Sequence, residues 1–112
     1  MANLTGTLLF YGNSIMMVLV SYDVSTVDAA GRKRLRRVAK KCQDFGVRVQ
    51  NSVFECLVDP ARWTILKSDL LKLYNDQEDS LRFYFLGKNW QHKVEHHGIK
   101  KTPNLENDVL II

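Results

Sequence analysis

The chain has 112 residues, enough for one domain with a real core and too few for two. Its 46% hydrophobic and 25% charged content is that of a soluble globular protein, and no stretch approaches the roughly 20 apolar residues of a membrane-spanning helix. A net charge of +4 is mild, but seven of the 16 Lys and Arg residues fall within Arg32–Lys41, which suits either a polyanionic partner or a solvated helix face.

The stretch Met1–Ser14 carries no basic residue, so it lacks the charged start of a secretory signal despite Leu8-Leu9-Phe10. Met16 and Met17 each look like a start, and residues 1–15 are expected to be an extension outside the fold. Met16–Asp23 (Met-Met-Val-Leu-Val-Ser-Tyr-Asp) is a short apolar run of the kind that forms a buried strand, and it ends in one carboxylate.

Ser25 and Asp28 offer capping side chains for a helix predicted over Asp28–Phe45. Leu35, Val38, Ala39, Cys42 and Phe45 form its apolar stripe, the cations occupy its other faces, and Gly46 is expected to end it as a C′ glycine. Val47–Asp59 is rich in strand formers. Asn51-Ser52 makes it a short hairpin, unless the run is one strand with a bulge at that point.

Pro60 suits the first turn of a second helix running to about Asn75, with Trp63, Leu66, Leu70 and Leu73 or Tyr74 inward. A polar linker, Asn75–Asp79, leads to a strand over Ser80–Leu86, and Lys93–His97 is expected to add a further short strand. Cys42 and Cys56 lack any Cys-x-x-Cys spacing and read as small buried hydrophobes in a reducing cytoplasm.

The order β-α-β-β-α-β predicts an α+β, ferredoxin-like fold over 16–98, with 99–112 as a C-terminal extension. Two helices cover only one face of such a sheet, yet the strands carry apolar residues on both faces. An uncovered apolar face predicts a homodimer with sheets packed face to face and the C-terminal segment adding an extra strand at the partner's edge.

Asp23 is the leading chemical candidate. A two-fold axis would bring two copies together, and Mg²⁺ takes one or two carboxylates and completes its shell with water and phosphate oxygens. The competing reading is a helix-initiating Asp. On the basic helix, Arg32, Arg34, Arg36, Arg37, Lys40 and Lys41 are candidates for sequence-independent phosphate contacts, since no base-reading motif accompanies them. His92, His96 and His97 lack the acidic or Cys partners of a metal site beyond Glu95 and read as surface residues.

Tyr22-Asp23-Val24, the helix Arg34-Leu35-Arg36-Arg37-Val38-Ala39-Lys40 and the run Gly46-Val47-Arg48-Val49-Gln50-Asn51-Ser52-Val53-Phe54-Glu55-Cys56 resemble the CRISPR-associated Cas-two family. Asp79–Tyr84, Trp90 and Val94–Gly98 fit the same pattern, and the similarity is greatest to its small type I-C members. The resemblance implies a ferredoxin-like homodimer acting with the Cas-one integrase in spacer acquisition. It also implies a phosphodiesterase using Mg²⁺, with Mn²⁺ as a substitute, in which Asp23 is catalytic and metal-binding. Tyr22, Ser52 and Phe54 are then placed in support of that site. Substrates in the family are double-stranded DNA or single-stranded RNA. Two alternatives stand beside the nuclease: a non-catalytic scaffold holding DNA for the integrase, and a toxin-like ribonuclease of the virulence-associated D type.

Overall fold

The structure, a computed structural model, describes residues 15–98. Four strands form a sheet layered by two helices. β1 is Met16–Asp23, α1 Ala29–Phe45, β2 Gly46–Gln50, β3 Val53–Val58, α2 Pro60–Leu73 and β4 Ser80–Gly87. The sheet order is β2-β3-β1-β4 and every neighbouring pair is antiparallel. This is the ferredoxin-like α+β arrangement.

Alternation along β1 decides the two faces. Val18, Val20 and Tyr22 join Phe54, Cys56 and Val58 of β3, and meet Val38 and Cys42 of α1 and Leu66 and Leu70 of α2 in one buried cluster. Each large side chain of that kind stabilises the fold by about 1.5–3 kcal/mol through burial. Register carries the same face into β4, where Phe83 lies opposite Val20 and Phe85 opposite Val18. Trp63 of α2 closes this edge with edge-on ring contacts to Phe83 at 4.8 Å and Phe85 at 5.5 Å.

The other face carries Leu19, Ser21 and Asp23 of β1, with Glu55 opposite Leu19 on β3 and Tyr84, Arg82 and Ser80 opposite the same three on β4. Both helices sit on the far side, so no helix among the described residues covers this face. Tyr84 is 43% exposed there.

Both helices start as the sequence predicts. The Asp28 carboxylate accepts from the Gly31 N–H at 2.8 Å, and the Asp59 carboxylate from the Arg62 N–H at 2.8 Å, with Pro60 in the first turn. Gly31 is needed for a second reason: a Cβ there would lie 1.9 Å from the Ser25 carbonyl oxygen. The hairpin reading of 47–59 holds, since β2 and β3 pair in register across Asn51-Ser52. The competing reading, one strand with a bulge at Asn51-Ser52, does not hold, and the irregularity in the pair is a register shift between Arg48 and Gln50.

Three expectations need correcting. Gly46 is extended (φ −162°) rather than a left-handed cap, and it opens β2 with no loop. A Cβ at Gly46 would sit 2.4 Å from the Glu55 carbonyl oxygen and 2.6 Å from the Cys56 Sγ, so close approach to β3 is what requires glycine. The second helix ends at Leu73 rather than near Asn75, because Asn75 opens a polar turn capped by Asp79.

No strand forms at Lys93–His97. After Gly87, whose φ of +76° turns the chain, Trp90–His92 makes one 3₁₀ turn and the residues to Gly98 are irregular. Val94 alone is too little apolar surface to hold a strand there. The expectations for residues 1–14 and for the extension 99–112 lie outside the described residues.

Candidate functional site

Asp23 ends β1 on the uncovered face, opposite Ser80 of β4. Its side chain is exposed, and it is the one described aspartate whose carboxylate has no hydrogen-bond or ion-pair partner among the described residues. The competing reading, a helix-initiating carboxylate, is thereby settled: that role belongs to Asp28. Both Asp23 oxygens are left free.

The strand end is held from three sides. The Tyr22 N–H donates to the Ser52 carbonyl at 3.1 Å, and the Tyr22 hydroxyl donates to the Asn51 carbonyl at 3.4 Å. The β2–β3 turn is thus tied to β1 one residue before Asp23. Tyr22 and Phe54 stack on the helix side with centroids 6.3 Å apart, and the Arg48 guanidinium lies 5.2 Å from the Phe54 centroid. Burial, with a smaller push from Cys42, raises the Tyr22 hydroxyl pKa, while nearby Arg48 opposes the shift. Tyr22 and Phe54 therefore back the strand from behind, on the face opposite Asp23, and Ser52 supports it through its main chain.

Asp79, read from sequence as part of a polar linker, is the third support. Its carboxylate is 0% exposed and takes four hydrogen bonds. The Ser25 N–H (3.0 Å) and an Arg34 terminal N–H (3.1 Å) donate to Oδ1. The Asn75 N–H (2.9 Å) and the Arg34 Nε–H (2.8 Å) donate to Oδ2. Arg34, followed by the backbone donors, holds the Asp79 carboxyl down to about 2 against a desolvation that pushes it up. The sequence signals for this residue are an Asp at the junction of a polar loop and a strand, and its place in the Asp79–Tyr84 run of the family resemblance.

The seven cations of 32–41 are not equivalent. Arg34 points inward to Asp79 and is 18% exposed, so its place among phosphate-contacting residues is taken by an internal ion pair. Arg32 donates to the Thr26 carbonyl at 3.3 Å, Lys40 pairs with Asp44 one turn on, and Lys41 pairs with Asp69 of α2 at 3.1 Å. Lys33, Arg36 and Arg37 have no such partner among the described residues. With Lys40, Lys41, Asp44 and Leu73 they line a surface recess of about 460 Å³.

No three His, Cys, Asp or Glu side chains gather around one point among the described residues. On one chain, Asp23 can offer a hard oxygen donor but only one, which suits Mg²⁺ retaining several waters and not a closed protein cage. The three histidines are exposed, with His97 against Glu95. Burial pushes the thiols of Cys42 and Cys56 up to about 12, so both stay protonated and unreactive. No helix among the described residues is long and apolar enough to cross a membrane.

Residues 16–94 match the family described as CRISPR associated protein Cas2. This chain belongs to the Cas2 family. It is 55% identical over 101 residues to the CRISPR-associated endoribonuclease Cas2 of Nitratidesulfovibrio vulgaris, covering 90% of this chain and 99% of that one. It is 53% identical over 95 residues to the CRISPR-associated endonuclease Cas2 of Halalkalibacterium halodurans, covering 85% and 99%. The crystal structure of Streptococcus pyogenes Cas2 at pH 6.5 superposes with a TM-score of 0.65 at 60% identity, covering 74% of this chain and all of that one. The family assignment agrees with the motifs around Asp23 and Gly46–Cys56, and with the Cas2 fold of β2-β3-β1-β4.

Proposed function

We propose that this Cas2-family chain is a metal-dependent endonuclease of CRISPR adaptation that works as a homodimer. The observation that carries it is Asp23: a carboxylate without a structural partner, at a rigidly held strand end, on a face that no helix covers. Its substrate is nucleic acid, double-stranded DNA or single-stranded RNA, consistent with relatives named both endonuclease and endoribonuclease. Its functional partner is the Cas1 integrase of spacer acquisition.

Leu19 and Tyr84 lie on the same face as Asp23, and a second copy of the chain placed against them would bring two Asp23 side chains to one axis. Two carboxylate oxygens sharing one Mg²⁺, with bonds of about 2.1 Å, can lie no more than about 4.2 Å apart. Mg²⁺ held there supplies a Lewis acid for phosphoryl oxygens and a bound water of lowered pKa. The chain's own work is to present Asp23 at a fixed position, and to hold the phosphate backbone with Lys33, Arg36 and Arg37.

Wild type and Asp23→Ala are compared for cleavage of duplex DNA and of single-stranded RNA, with Mg²⁺, with Mn²⁺ and with EDTA. The nuclease reading expects cleavage by wild type with metal only and none by the variant. Equal cleavage by both removes Asp23 from the mechanism. A second reading, a non-catalytic scaffold for the integrase, is favoured by the single carboxylate per chain and the three unpaired cations. It expects DNA binding by Asp23→Ala at wild-type affinity and no metal-dependent cleavage by either protein.

A further inference from the structure

We infer that Asp79, locked by Arg34, is the positioning residue for Asp23, so that metal affinity and turnover depend on an ion pair that touches neither metal nor substrate. This rests on the nuclease reading above.

Asp23 is the last residue of β1, where a strand would ordinarily fray, and a useful metal ligand must stay within about 0.5 Å of its working position. Two of its backbone neighbours converge on one carboxylate. Downstream, the Ser25 N–H donates to Asp79 Oδ1, fixing the chain two residues past Asp23. Across the sheet, Ser80 is the register partner of Asp23 and is covalently next to Asp79. Arg34 reaches from α1 to hold both oxygens of that carboxylate, and the Asn75 N–H closes the turn leading into β4.

One buried side chain therefore ties the β1 exit, the second turn of α1 and the β4 entry together at the point where Asp23 projects. Both Asp79 oxygens each accept from a backbone N–H and from Arg34. An amide in its place must turn its NH₂ group towards two donors, so Asp79→Asn releases at least one side of the clamp.

The test uses Mn²⁺ as the probe. Binding is measured from the electron paramagnetic resonance signal of free Mn²⁺, and kcat and KM are measured for Mg²⁺-dependent cleavage, at temperatures where circular dichroism shows each protein folded. Substitution of groups that orient metal ligands typically costs 10–100-fold in metal affinity or activity. Asp79→Asn is expected to weaken Mn²⁺ binding by about 10–100-fold and to lower kcat by a similar factor, leaving KM for the nucleic acid within about two-fold.

Arg34→Lys keeps the charge without the two-pronged contact and is expected to fall between the two. Asp69→Asn, which breaks the Lys41 pair between the helices, is the control for loss of an ion pair elsewhere, and it is expected to bind Mn²⁺ as wild type. A folded Asp79→Asn with wild-type Mn²⁺ affinity overturns the inference, as does an equal loss in Asp69→Asn. If wild type and Asp23→Ala bind Mn²⁺ alike, the metal-site reading itself fails, a result visible before Asp79 is varied.

Discussion

The Arg34–Asp79 pair makes stability depend on acid in a calculable way. The ordinary Asp79 value of 3.8 is lowered to about 2 in the folded protein, chiefly by the Arg34 hydrogen bonds. Taken in full, a shift of that size corresponds to about 2.5 kcal/mol. The carboxylate is covered but its Arg34 partner is 18% exposed, so solvent screening reduces the contribution to about 1–2 kcal/mol. The sign follows from the depressed value. The unfolded chain binds the proton first, so the contribution is whole above about pH 5 and disappears as pH falls through about 2.

Asp79→Asn lacks this contribution at every pH. It should therefore lie furthest below wild type near neutrality, and the gap should narrow by about 1–2 kcal/mol on acidification. That narrowing is roughly 5–10 °C in Tm for a domain of this size. Other carboxylates titrate in both proteins and cancel in the difference. Thermal unfolding followed by circular dichroism between about pH 7 and pH 2 measures it. A gap that stays constant across that range would falsify the ionised clamp, because the loss would then be one of shape and not of charge.

Three further outcomes are expected. Reversing the unpaired cations, Lys33→Glu with Arg36→Glu and Arg37→Glu, should weaken duplex binding and flatten its salt dependence by about two to three units of slope, and an unchanged slope would send the nucleic acid to another face. Leu19→Asp on the uncovered face should give a monomer in sedimentation equilibrium; a persistent dimer would mean that the copies meet elsewhere. Gly31→Ala would raise helix propensity by about 1 kcal/mol in an ordinary helix, but its Cβ would meet the Ser25 carbonyl oxygen at 1.9 Å. The net effect should be a loss of about 1–3 kcal/mol in urea unfolding, and a stabilised variant would show that the β1–α1 loop yields freely.

Periodicity made the fold legible. The stripe Leu35, Val38, Cys42 and the alternation Phe54, Cys56, Val58 each point at the same core, so helices, strands and the sheet's two faces follow from local pattern. What local pattern cannot supply is pairing at long range. Arg34 and Asp79 are 45 positions apart, and nothing in a run of seven cations marks one of them as internal. Gly46 illustrates the same limit. A glycine after a helix reads as a cap, and only the approach of β3 shows that it is kept for want of a Cβ. The candidate site was legible as far as Asp23 itself. Setting aside the cap reading for Asp23 took the observation that Asp28 fills the cap.

That division of labour has a consequence for Asp23. Asp28 and Asp59 cap helices, Asp44 and Asp69 pair with lysines, Asp76 accepts from Gln77, and Asp79 joins three segments. Each of these has a structural use whose removal leaves a donor or a cation without its partner. Asp23 has none among the described residues, and an exposed carboxylate with no partner contributes little to folding. Asp23→Ala should therefore change unfolding free energy by no more than about 0.5 kcal/mol, the usual range for surface positions, while abolishing metal-dependent cleavage. The two measurements on one variant separate its roles. If Asp23→Ala loses stability as Asp79→Asn does, Asp23 holds the strand end in place, and its loss of activity would report on the fold and not on the chemistry.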